Sequence, residues 1–195
     1  MPSPRLKIHR RGGIPAALFS ILFFTSQLAT GHPLPEIPVW AFFEKDGSAR
    51  FEIEVDPRCF VENPEDELYM LHWYLQRCDK EEKNEMFEQA KAFIPTRVDL
   101  VFGPDNWKID PDYHCEFTTR GGKPLRKLDD PVMIRVSFET RIPRSVKTYQ
   151  LHAHDVGIFS VLFLNHFNDA AVPRIQTLFP GEKSYALSLE QPPEK

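Results

Sequence analysis

Val39-Trp40-Ala41-Phe42-Phe43-Glu44-Lys45-Asp46-Gly47-Ser48-Ala49-Arg50-Phe51-Glu52-Ile53-Glu54-Val55-Asp56 reads as two strands joined by a tight turn. Lys45-Asp46-Gly47-Ser48 carries the Asp-Gly pair that hairpin turns favour, because both residues tolerate positive φ. In the second strand Phe51, Ile53 and Val55 alternate with Glu52, Glu54 and Asp56. A period of two predicts one buried face and one acidic, solvent-facing face. Pro57 ends the strand.

Outward from this hairpin the pattern changes once and then returns. Asn63-Pro64-Glu65-Asp66-Glu67 offers a capping residue, a first-turn proline and acids at the positive end of a helix. Leu68, Leu71, Leu75 and Cys78 would form its apolar stripe. Asp79 and Glu82 form a fresh capping box, at which a second helix or a kink is expected to start, with Met86, Phe87, Ala90 and Phe93 on its apolar face. Pro95 stops it. Strands are then expected over 98–102, 113–118, 125–128, 132–140, 148–154, 159–164, 174–178 and 185–189. Turns are expected at Arg120-Gly121-Gly122-Lys123 and Phe179-Pro180-Gly181-Glu182. The fold class is therefore mainly β, an antiparallel β-sandwich-like domain with one helical insertion at about residues 64–94.

The first 31 residues are set apart from that fold. Arg5, Lys7, Arg10 and Arg11 precede a short apolar run, Ile14 to Phe24. Ala29 and Gly31 stand at the small-residue positions of a signal peptidase cut. The run is shorter than the roughly 20 residues that span a bilayer. We expect a signal peptide over 1–31 and one exported domain over 32–195, in the periplasm or outside the cell; an uncleaved membrane anchor is the alternative. The first 31 residues hold four of the 24 basic residues and none of the 28 acids, so 20 bases face 28 acids in the remainder. That balance disfavours nucleic acid and anionic membranes as partners. Cys59, Cys78 and Cys115 allow one disulfide in an oxidising compartment and leave one thiol over, with the pairing open.

Three segments carry a family likeness: His32-Pro33-Leu34-Pro35, the strand Phe51-Glu52-Ile53-Glu54-Val55-Asp56-Pro57-Arg58-Cys59-Phe60, and Leu178-Phe179-Pro180-Gly181-Glu182-Lys183-Ser184. Together they resemble the extracytoplasmic N-terminal domain of HupE/UreJ-like membrane proteins, the hydrogenase and urease accessory permeases linked to nickel. The likeness spans most of the chain after Gly31. Its motifs are turns and strand ends, so they carry fold information and no catalytic residues. The chain departs from that pattern in having no apolar segment of spanning length after Leu28. The resemblance thus implies an accessory or free-standing external domain, with a membrane or other envelope protein as partner.

The candidate chemistry centres on histidine. Cleavage after Gly31 would leave His32 with a free amine and an imidazole, a chelating pair suited to Cu(II) or Ni(II). His152-Ala153-His154-Asp155 is the second source: in a strand, His152 and His154 point to one face, and Asp155 would orient an imidazole from the adjoining turn. The metal-ligand candidates are thus His32, His152 and His154, with Asp155 behind them. Alternating polar residues on an exposed strand face explain the same pattern without a metal. His114 and Cys115, with Cys59 as a third donor, are weaker candidates, since strand neighbours point to opposite faces. His72 reads as a helix-surface residue and His166 as a loop residue. Asp105 to Asp112 is acid-rich but lacks calcium-loop spacing, and Asp129-Asp130 reads as a turn. There is no Gly-x-Ser-x-Gly, His-Glu-x-x-His or phosphate-binding glycine loop. We expect no enzymatic activity and no required cofactor. The leading expectation is an accessory or binding domain that presents copper or nickel or contacts a membrane partner. A metal-free interaction module is the alternative, and a copper-dependent oxidoreductase using His32 is the third reading.

Overall fold

The computed structural model describes residues 33–104, 107–168 and 170–190. The opening hairpin is present: β1 (Glu36–Phe43) and β2 (Ser48–Val55) pair antiparallel with Val39 opposite Ile53 and Phe43 opposite Ala49. The turn between them holds Gly47 at φ 85°, and Asp46 Oδ1 accepts from Ser48 N–H at 2.9 Å. The remaining strands are β3 (Val98–Gly103), β4 (His114–Thr118), β5 (Met133–Arg141), β6 (Thr148–Ala153), β7 (Ser160–Phe167), β8 (Ala170–Ala171), β9 (Gln176–Leu178) and β10 (Leu187–Ser188).

They make two sheets. The larger runs β4-β5-β2-β1-β7-β8, with β9 also on β7; the smaller runs β10-β6-β3. The alternating residues of both sheets meet in one core. Phe51 of β2 packs edge-on to Phe43, Phe102 and Tyr149, and stacks on Phe138. This is the mainly β, sandwich-like architecture that the alternation predicts. One pairing is of a different kind: β1 and β7 are parallel, Glu36 beside Ser160 through Phe43 beside Phe167. Pro180-Gly181 makes the expected turn, with Gly181 at φ 86° and Glu182 N–H donating to Phe179 O at 3.0 Å. It does not close a hairpin. It carries the chain from β9 in the large sheet to β10 in the small one.

The helical insertion is shorter than the pattern suggests. Only a turn follows Asn63, then α1 (His72–Leu75) and α2 (Lys80–Phe93). Leu75 and Cys78 are buried, but Leu68 is 74% exposed. The start of a longer helix is pre-empted by tertiary bonds. His72 and Trp73 N–H donate to Asp130 and Leu128 carbonyls, and Met70 O accepts from Val132 N–H. The same contacts explain why 125–128 is a loop and not a strand. α2 behaves as expected: the Asp79–Glu82 capping box is complete, and Phe87 stacks on Phe117 with centroids 4.4 Å apart.

The acidic face of β2 is the other departure. Glu52, Glu54 and Asp56 are buried alongside the apolar residues. The turn after β4 folds over Glu54, and Gly121 N–H donates to Glu54 Oε2 at 2.7 Å. Glu52 pairs with Arg50 and with Arg135. Asp56 takes a two-nitrogen contact from Arg58, which is itself buried. Each buried carboxylate is thus matched to a cation or a backbone donor, as burial of charge demands.

Candidate metal centre

β6 is the middle strand of the small sheet, and its alternation is strict. Tyr149, Leu151 and Ala153 point into the core at 0–1% exposure. His152 therefore points outward, and His154, one residue past the strand end, continues on that side. β3 runs antiparallel beside it with Asp99 opposite His152. Asp99 Oδ2 lies 3.5 Å from His152 Nδ1 and 2.9 Å from His154 Nε2. One donor atom from each of the three side chains lies within 4.8 Å of the others.

These spacings suit a shared ion. Donors about 2.1 Å from one metal, at angles of 90–110°, sit about 2.9–3.4 Å apart. The His154 Nε2 contact has a further property: this nitrogen is shielded from solvent yet makes no hydrogen bond among the described residues, so the carboxylate is close but not aligned with an N–H. The cluster is half-open, with the Asp99 side chain 48% and the His152 side chain 31% exposed.

The backbone beneath it is held on both sides. His154 N–H donates to Arg97 O and Ala153 N–H to Glu182 O, both at 2.9 Å, and Gly181 N–H donates to Ala153 O at 3.0 Å. Arg97 also donates to Val156 O, which ties down the loop leaving His154. Gly157 permits this, since a Cβ there would lie 2.6 Å from Arg97 Nη1.

Of the ligands expected from sequence, the structure brings His152 and His154 together on one face. His32 lies outside the described residues. Asp155 is exposed and bonds to neither imidazole; the carboxylate that touches both is Asp99. Asp99 was legible as the one acid interrupting an apolar strand, Val98 to Phe102, but its partner strand was not. Among the described residues this is the group of three or more His, Cys, Asp or Glu side chains close enough to share an ion.

The weaker candidates fall away. All three cysteines are free, with Cys59 and Cys78 buried. Burial, and then the charge of Asp56, pushes the Cys59 thiol up to about 12, so it offers no thiolate at neutral pH. His72 sits on the surface of α1 with Nδ1 3.0 Å from Lys127 O. His166 is not in a loop: it belongs to β7 and stacks on Phe42 at 4.7 Å. Asp130 is a turn residue, accepting from the N–H groups of Arg126 and Lys127.

Neither the family models nor the curated proteins contain a match to this chain. Among the described residues no helix is long and apolar enough to cross a membrane.

Proposed function

We propose that this chain is an exported accessory or binding domain of the cell envelope that holds a divalent transition-metal ion, copper or nickel, between Asp99, His152 and His154. The observation that carries the reading is the contact of one carboxylate oxygen with two imidazole nitrogens on a fixed strand pair. Two nitrogens and one oxygen suit Cu(II) or Ni(II). The likeness to HupE/UreJ-like external domains agrees with a role in metal handling beside a membrane partner. The reading assigns no catalysis.

A titration with Cu(II) and Ni(II), followed by calorimetry and EPR, tests it. The wild type is expected to bind one ion. Asp99→Asn and His154→Ala are each expected to weaken binding by at least roughly tenfold, while Asp155→Asn leaves it unchanged. Equal, weak binding by all four proteins would sink the proposal.

A metal-free interaction module has its own support. Ile158 and Phe179 are 51% and 62% exposed and line one depression with Leu34 and Arg120. Apolar side chains grouped in this way on a surface favour contact with another protein.

A further inference from the structure

The three donors leave the ion short of ligands. Copper and nickel take four to six, and the cluster supplies two nitrogens and one oxygen among the described residues. A cation shares the row of these donors. Lys183 forms an antiparallel bridge with His152, on the side of β6 away from β3. Directly opposed residues of antiparallel chains share a face, with Cβ atoms about 4.5–5.5 Å apart. Asp99, His152 and Lys183 therefore form one row across the outside of the small sheet, with His154 beside Asp99. The strip that carries Lys183 is fixed: Ser184 N–H donates to Leu151 O at 2.8 Å, and Leu151 N–H donates to Ser184 Oγ at 2.9 Å.

An ammonium has no lone pair to give a metal, so Lys183 cannot complete the site as a ligand. Its charge has a different consequence. A divalent ion adds two positive charges to a face that already holds Lys183, and Arg97 lies under the adjoining loop. Glu182, which accepts from Phe179 N–H at 2.9 Å, and the exposed Asp155 remain charged and offset part of this. Lys183 is the cation in the row of the donors, so an anion held on the ion would meet it.

We propose that the ion is completed by an exogenous amino-carboxylate chelator, whose amine and carboxylate oxygen fill open positions on the metal while Lys183 pairs with the carboxylate. The species recognised is then a metal–amino acid chelate and not the bare ion. The proposal rests on the metal reading above. It adds that metal and anion bind cooperatively, each raising the affinity for the other by the same factor.

The test uses the full chain as exported, loaded with Cu(II) and desalted with or without glycine. EPR is recorded with ¹⁴N- and ¹⁵N-glycine. The expected result is an isotope-dependent change in the nitrogen couplings of copper that stays with the protein. Lys183→Ala should lower the glycine affinity of the copper-loaded protein by roughly threefold, while copper retention without glycine stays as in the wild type. Retained copper with no isotope effect overturns this proposal and leaves the metal site standing. Glycine that strips the copper away does the same. Coupling that appears only after Asp155→Asn or His32→Ala also overturns it, because the chain would then complete its own site. Copper lost in both buffers overturns this proposal and the metal reading together.

Discussion

Glu54 shows how a residue legible as a solvated strand position becomes a titrating core group. Burial raises its pKa above the ordinary carboxylate value of 4.5, against the lowering effect of Gly121 and Gly122 N–H groups and of Arg120 and Arg135. A carboxyl whose folded pKa lies above its unfolded one holds its proton more tightly when folded. Its contribution to stability is therefore present below the unfolded pKa and is lost as pH rises through the folded one. Glu54→Gln keeps an acceptor for Gly121 and removes the charge. Urea unfolding across a pH series should show wild-type stability falling above about pH 4.5 relative to Glu54→Gln. Parallel pH profiles for the two proteins would show that the burial carries no proton linkage. Gly122 belongs to the same arrangement: its φ of 70° is a conformation that favours glycine in the turn over β2.

At the scale of elements, α2 is set by local chemistry. Asp79 Oδ1 accepts from the N–H groups of Glu81 and Glu82, and Glu82 Oε2 accepts from Asp79 N–H at 2.7 Å. Asp79→Ala should cost about 1 kcal/mol of stability, read from the urea midpoint at unchanged slope. An unchanged midpoint would mean that packing of Phe87 and Phe93 holds the helix without its cap. The segment before it behaves differently. Asn63 and Pro64 also signal a helix start, yet the backbone of 70–73 bonds to residues 128, 130 and 132 instead. Local propensity is worth a few tenths of a kcal/mol per residue, and a set of satisfied long-range bonds outweighs it.

For the whole molecule, the metal reading makes stability depend on the ion. Asp99 lies far in sequence from His152 and His154, so an unfolded chain does not hold these three donors together. An ion at 100 times its dissociation constant should stabilise the fold by about 2.7 kcal/mol. Thermal unfolding with Ni(II) or Cu(II) should show a higher midpoint in the wild type and a clearly smaller shift in Asp99→Asn. Equal shifts in both would place the ion elsewhere.

The period-two alternation, the Asp46-Gly47 turn, the Asp79–Glu82 box and the Pro180-Gly181 turn were all readable, because each rests on residues within a few positions of one another. The outward pairing of His152 and His154 was readable for the same reason. The sequence by itself thus determined which residues alternate along the strands, the turns, one helix and two of the three donors of the candidate centre. The tertiary structure alone decided the parallel β1–β7 pair, the burial of Glu52 and Glu54, and the arrival of Asp99 and Lys183 on either side of His152. Each of these depends on which strand lies beside which. That choice is made by burying both sheets in one core and satisfying their backbone groups, and no local pattern encodes it.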